Sequence, residues 1–570
     1  MKKFNSFLNL SLKGLIIFLF CSFNLSFSGT YYVSTSGSNT NPGSFSQPWA
    51  TPGYGSRQIN SGDTLVILGG RYLLSEYIED ILEPPSGTST SWTVIRGENS
   101  NRPILCGRNN LLTAIILSGK SYIVIENLEI THDAEAQGDS CWFRDGIEIF
   151  DEPANFLIFR NLYIHHIDEF GMNFQDVNNV EIENCRIEYC GFGAIGGPAG
   201  NYGGWRNIII NNCSLSWSGH YYQGGDGSNR PYDRPDGFGN EQSIGPILIK
   251  NTIAQHNYGD GLDSKSAHTL IQRCIVANNS CDGVKLWGDS SRIENTLIYG
   301  RGDGNPEVSP WAPIVIHQVE QSGAYFEIFN VTVDDSLGEE YLLYAQYEDS
   351  TPVHITIRNC IFSGRGPNTT LYVHGNSTLI ADHNLFFIPL NSIILYHGNQ
   401  EYSCSNISML GSGNICGDPL FIQTAWGSTG DYHLRQGSPA INAGSIVGAP
   451  PVDLDGNIRD ANPDIGAYEF TTQSLVMPGS DEQHLISVMQ CYPNPFNETM
   501  TIKFSILKKM NITLKVFDML GREVANMVIG ELEIGEHSVF FKANNLTSGA
   551  YIYSLQGDNV VQKRKVVLIK

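Results

Sequence analysis

The chain has 570 residues and a net charge of −23, with 41% apolar and 11% aromatic residues but only 16% charged ones. That apolar content supplies a large core and excludes wholesale disorder, while the acidic balance excludes the basic footprint of a nucleic-acid binder. If the ligand is instead an acidic polymer, a cation has to mediate. The 59 glycines follow no Gly-X-Y period and favour many tight turns over long helices.

The first 28 residues predict a secretory signal: Lys2, Lys3 and Lys13, an apolar run from Gly14 to Phe23, and small residues at Ser26 and Ser28. The run is too short to cross about 30 Å of hydrocarbon. Phe20 before Cys21 has the wrong size for lipoprotein processing. Of the twelve cysteines, eleven follow the signal's apolar run, and an odd number leaves at least one thiol unpaired or bonded between chains. Cys404 and Cys416, in a Gly/Ser/Asn-rich loop, suit a disulfide in an oxidising compartment.

Residues 29–470 predict one repetitive domain. Short β-type segments recur, each ending in Asn and a small or apolar residue: Asn127-Leu128, Asn161-Leu162, Asn184-Cys185, Asn212-Cys213, Asn251-Thr252, Asn295-Thr296, Asn330-Val331, Asn359-Cys360 and Asn384-Leu385, with Arg273-Cys274 as the one break. The shortest spacing is 22 residues, and the longer ones carry polar insertions. Alternating apolar residues at that minimum period predict an all-β parallel solenoid. Ile123, Ile125, Leu128 and Ile130 should stack inward. The Asn should take the tight turn in left-handed geometry, and Cys185, Cys213, Cys274 and Cys360 should be small buried thiols.

A second mark is Asp-Gly followed by alternation, at Asp145-Gly146, Asp236-Gly237, Asp260-Gly261 and Asp282-Gly283. It reads as the turn and first strand of each coil. With Leu262, Val284 and Leu286 inward, Asp263 and Lys285 point outward on neighbouring coils, about 4.8 Å apart. Asp236, Asp260 and Asp282 then stack at one turn with Asp263 beside them. Carboxylates converging at that spacing repel unless a hard cation such as Ca²⁺ sits between them. Trp287, His317 and His256 are candidate substrate contacts. Tyr221, Tyr222, Tyr232 and Trp311 fall in loops or outward positions near the same face.

The end segments differ. Tyr31 to Ser34 opens the domain. Asp418-Pro419-Leu420-Phe421, Ser438 to Gly444 and Asp464 to Glu469 resemble the closing segment of secreted β-helix proteins. Asp453-Leu454-Asp455-Gly456 mimics half a calcium loop without the EF-hand spacing and reads as structural. Residues 471–485 read as a linker. Residues 486–570 form a separate small β-sandwich: Tyr492-Pro493-Asn494-Pro495-Phe496-Asn497, Phe517 to Val524, Leu546 to Tyr553 and Lys565 to Lys570 resemble the C-terminal sorting domain of the type IX secretion system of Bacteroidota. The resemblance implies export by that machinery, to the medium or the cell surface.

Asp236-Gly237-Phe238, then Gly259-Asp260-Gly261-Leu262-Asp263, then Gly283-Val284-Lys285-Leu286-Trp287-Gly288 resemble the successive motifs of polysaccharide lyase family 9, right-handed parallel β-helix enzymes acting on pectic polymers. The resemblance is tight over residues 236–288. It implies Ca²⁺ on Asp236, Asp260 and Asp263 and Lys285 as the base; the stacking of the turns adds Asp282 as a further acidic ligand. One departure is Gly259, where the family has an Asp; Asn240, Glu241 or Asp282 could replace that ligand, or binding is weaker. The chemistry fits: β-elimination removes the C5 proton of a uronate, and a cation stabilises the charge that develops on its carboxylate. A neighbouring cation also disfavours ammonium, lowering a lysine's pKa toward that of a usable base. The expectation is a secreted, calcium-dependent, monomeric lyase of pectic uronans. A glycoside hydrolase on the same solenoid, using Asp260 and Asp263, and a non-catalytic glycan-binding solenoid remain open.

Overall fold

The computed structural model describes residues 28–470 apart from 110, 134–142, 223–234, 301–310, 336–340, 347–350, 367–368 and 426. It also describes residues 486–492, 496–497, 499–506, 509–518, 522–532, 535–543, 546–547, 549–557 and 560–568. Residues 1–27 of the expected signal, the linker and Tyr232 lie outside the described residues. Two compact units divide between Phe470 and Thr471.

The first unit is a right-handed parallel β-helix built from three long sheets of 13, 13 and 12 described strands. The first sheet runs from Thr30–Val33 to Thr378–Asp382, the second from Arg71–Leu74 to Ile415–Cys416. The third runs from Leu111–Ile116 to Leu395–His397, closed by the antiparallel strand Gln400–Tyr402. Each strand pairs with its counterpart one coil on, so like residues stack in columns along the axis. Ile123, Ile125, Leu128 and Ile130 are fully buried, and the inward columns form one continuous core.

The turn between the first two sheets explains the Asn repeat. Asn127, Asn161, Asn184, Asn212, Asn251, Asn295, Asn330 and Asn359 all have φ between 45° and 59°, as does Arg273 at 54°. Asn pays the smallest penalty of any residue with a side chain for that left-handed geometry. Asn384 departs from the expected series. His383 takes the left-handed position (φ 53°), while Asn384 lies buried in the next column, where its Oδ1 accepts from the Cys360 backbone N–H at 2.9 Å. In that column Cys185, Cys213, Cys274 and Cys360 are buried, and each Sγ approaches the carbonyl two residues back at 3.2–3.4 Å. Thr252 and Thr296 make the same contact with Oγ1 at 2.9 Å. The thiols therefore act as small buried donors, and burial pushes Cys274 and Cys360 up to about 12. Cys404 and Cys416 are disulfide-bonded, as expected.

The closing segment forms a strap along the side of the solenoid. Its Phe421, Tyr432, Leu434, Leu454 and Ile465 pack on Leu297, Tyr299, Ile361 and Leu385. The turn column then bonds to it: Arg273 Nε donates to Leu454 O at 3.2 Å, Asn330 Nδ2 to Asp464 O at 3.2 Å, and Asn359 Nδ2 to Ser445 O at 2.8 Å. Asp453 of the half calcium loop is spent on the strap's own turns, accepting from Asn457 N at 2.7 Å and Glu469 N at 2.9 Å.

The second unit is all antiparallel, with sheets of three and four described strands around its own core of Met500, Ile502, Phe504, Leu514, Tyr553 and Leu568. Among the described residues, no helix is long and apolar enough to cross a membrane.

Candidate active site

The site lies on the outer face of the third sheet. Strands Asp236–Ser243, Leu262–Ser266 and Val284–Leu286 are consecutive there, with Gly239 opposite Asp263 and Asp263 opposite Lys285. Leu262, Val284 and Leu286 are fully buried, so Asp263 and Lys285 occupy the outward positions that alternation requires.

Asp236, Asp260 and Asp282 stack where these strands begin. Each uses Oδ1 to tie one coil to the next: Asp236 accepts from Asp260 N at 2.6 Å, and Asp260 from Asp282 N at 2.8 Å. Asp282 accepts from Trp311 N at 2.6 Å and Ala312 N at 2.9 Å. The structural reading of these aspartates is thus true, and it leaves the second oxygen of each for other work. The following glycines are needed for space, not for a turn. A Cβ at Gly261 would stand 2.3 Å from Val276 Cγ1 and 2.7 Å from Gly283 O, and one at Gly237 would stand 2.7 Å from Gly261 O.

Asp236, Asp260 and Asp263 each offer a carboxylate oxygen, all within 4.8 Å of one another. Asp236 is half-buried and the other two are buried. Burial, then the charges of Asp260 and Asp263, push the Asp236 carboxyl well above the usual range, and burial takes Asp263 up to about 7. Three crowded, desolvated carboxylates with too little compensating charge fit a hard divalent cation, whose preferred ligands are oxygens. Asp282 lies outside this group. Its Oδ2 is 3.0 Å from Lys285 Nζ, which also donates to Asp260 Oδ2 at 2.7 Å. Burial lowers the Lys285 pKa, but Asp260, Asp282 and Asp263 together outweigh it and hold the amine as ammonium.

The three candidates to replace the acid missing at Gly259 separate cleanly. Asn240 is buried, accepting from Ser264 Oγ at 3.2 Å, and Asp282 belongs to Lys285. Glu241 is paired with Lys265 at 2.7 Å. Lys265 was not singled out from the sequence, although it is two residues past Asp263 and alternation puts both on one face. Trp287 Nε1 donates to Asp263 Oδ1 at 2.8 Å and meets His317 edge-on, ring centres 4.6 Å apart. Trp287 thus borders the acidic group, and His317 packs on Trp287. Trp311 covers Lys285 Nζ at 5.5 Å. His256 stacks on Trp217 at 4.1 Å, and Tyr221 packs on His132 at 5.1 Å.

Residues 31–304 match the family model described as "Pel9A-like, right handed beta helix region", and residues 490–570 match "Secretion system C-terminal sorting domain". No curated protein matches the chain. Among solved structures, pectate lyase Pel9A is similar at 16% identity and TM-score 0.42, covering 79% of this chain and 98% of its own. XylC in complex with xylose is similar at 10% identity and TM-score 0.49, covering 90% and 100%. A rhamnogalacturonan lyase is similar at 15% identity and TM-score 0.33, covering 76% and 96%. These likenesses concern the fold alone.

Fold and matched region together define a right-handed parallel β-helix protein in which residues 31–304 are similar to the Pel9A-like region. Residues 31–304 thus match a Pel9A-like β-helix region and residues 490–570 a type IX sorting domain, and that domain makes the chain a secreted or cell-surface protein.

Proposed function

We propose that the chain is a calcium-dependent polysaccharide lyase that cleaves a pectic uronan by β-elimination, with Lys285 as the base. The observation that carries this reading is the Asp260 carboxylate. It belongs both to the oxygen triad with Asp236 and Asp263 and to the ion pair with Lys285. Asp236, Asp260 and Asp263 would hold the ion. Bound there, calcium supplies a counter-charge for the substrate carboxylate and for the negative charge that develops beside C5.

The protein's own groups do the rest. Lys285 stands opposite Asp263 on the next coil, and its Nζ is held by Asp260 and Asp282. Asp260 is the largest single stabiliser of the ammonium, so neutralising the triad weakens the hold on the Lys285 proton and moves the amine toward the free base. Asp282 keeps the amine aimed while that happens. Trp287 fixes Asp263, and Trp311 shields the amine from water. Lys285 then accepts the C5 proton, the C4–O4 bond breaks, and the departing oxygen takes a proton from solvent.

Mass spectrometry and ultraviolet spectra of the products from a panel of uronans test this directly. Elimination yields fragments carrying a 4,5-unsaturated uronate, which absorbs in the ultraviolet. Fragments that have gained water and show no new absorbance mean hydrolysis and overturn the reading.

A further inference from the structure

The third sheet is electrically lopsided. Every charged residue in its parallel strands lies between Phe143 and Leu286, including Arg144, Glu148, Asp263 and Lys285. The four parallel strands beyond Lys285, Ile314–Ile316, Tyr341–Ala345, Thr370–Val373 and Leu395–His397, contain no Lys, Arg, Asp or Glu. In the column that carries Asp263 and Lys285 the next residues are Val315, Tyr344 and Tyr372, one per coil.

These outward residues build an apolar cluster separate from the solenoid core. Ala312, Val315 and Tyr344 are its floor, and Tyr341 and Tyr372 pack against it. Trp311, 36% exposed, joins it to the site, lying over Lys285 Nζ at 5.5 Å and 5.8 Å from the Tyr344 ring. Tyr344 and Tyr372 rings are 5.8 Å apart, and Tyr341 lies 4.8 Å from Tyr344. The rings thus repeat at close to the coil spacing, which is near the length of one pyranose along a polymer.

The geometry points to a substrate-binding platform for uncharged sugar rings on the C-terminal side of Lys285. This rests on the reading of the site as one for a uronan. A chain running along the axis places a uronate at Asp263 and Lys285 and its neighbours over Trp311 and the half-buried Tyr341 and Tyr372, with the buried Tyr344 beneath them. An aromatic face carries negative potential and attracts the C–H face of a sugar while disfavouring an anion. An ionised carboxylate over Tyr341 and Tyr372 would lose water, and the strands that carry those rings hold no Lys or Arg to replace it. The favoured polymer therefore has an uncharged ring next to the cleaved uronate: either a neutral sugar or a uronate masked as its methyl ester.

Calorimetric binding by the full-length protein separates the two sources. Three polymers serve as probes: polygalacturonate freed of esters, its methyl-esterified form, and a uronan alternating with a neutral sugar. At least one of the last two should bind about tenfold tighter than the first. Tyr372→Ala should weaken that binding by about threefold to tenfold, and Tyr372→Phe, which keeps the ring, should not; Tyr341→Ala gives a second check should Tyr372→Ala fail to fold. Equal binding of all three polymers, no binding of any, or ring removal without effect overturns the platform. Ultraviolet absorbance recorded alongside keeps the two ideas apart. Ring-dependent binding without a new double bond refutes elimination alone, whereas elimination with ring-independent binding refutes the platform alone.

Discussion

Asp260 and Lys285 illustrate how buried charge is shared at this site. Lys285 is 4% exposed and pairs with Asp260 and Asp282, while the triad it borders holds three carboxylates. Removing one partner of a buried ion pair strands the other, at a cost of about 3–5 kcal/mol. Lys285→Ala should therefore unfold at a lower temperature than the parent without divalent ions. It should also gain more from calcium, because the stranded acids then have a partner. Thermal denaturation with and without calcium measures this, and an equal calcium shift in both proteins would remove the coupling. Turnover of Lys285→Ala should fall by about 100-fold or more, the usual share of a general base.

His433 on the strap offers a pH test remote from the site. Its ring nitrogens lie 2.6 Å from Asp431 Oδ1 and 2.8 Å from Asp455 Oδ2. Burial lowers its pKa, but the two carboxylates prevail and take it up to about 9. With the folded value above the unfolded one of about 6.5, the stabilisation is complete below that pH and is lost as pH rises through 9. The parent should exceed His433→Gln in melting temperature at pH 6, with the difference shrinking by pH 10. A difference that grows with pH would contradict the assignment.

At the scale of the coil, the signals that were legible are those a stacked repeat imposes on every rung. Inward Ile and Leu, left-handed Asn and outward Asp263 and Lys285 follow from alternation and from one tight turn per coil. The Asp-Gly pairs were legible as markers but not in mechanism, since their glycines answer to a neighbouring coil that a local window does not contain. Gly261→Ala should push Asp260 and Asp263 apart and cost about 1–3 kcal/mol from overpacking. Calcium affinity should fall with stability, and calorimetry on the folded variant reads both. Cys274→Thr should barely move the melting temperature, because Thr252 and Thr296 already make the same backbone contact on either side. Asn384 was misplaced by one residue because an Asn suits either column, and only pairing of Leu385 with Ile361 sets the register. Lys265 and the shared role of Asp260 were hidden because both depend on distances between coils.

For the whole molecule, the sorting tail and the β-helix have separate cores, Phe504 and Tyr553 in one and the continuous inward columns in the other. Deleting residues 486–570 should leave the helix folded and the site intact while export fails, seen as protein retained within the cell envelope; undiminished secretion would count against the tail's role. The strap, by contrast, belongs to the helix. It carries Leu454, Asp464 and Ser445 to the turn column, so truncation before it should expose Leu297, Ile361 and Leu385 and destabilise the coils beside the site.

The most direct test of a cation and an amine serving one sugar ring is the initial rate of ultraviolet absorbance gain on a uronan, titrated with calcium after chelation, for the parent and Lys285→Ala. The account predicts a rate that starts near zero and saturates with calcium in the parent, and a flat line in a variant that still binds the ion. A rate indifferent to chelation, or an active Lys285→Ala, would contradict it.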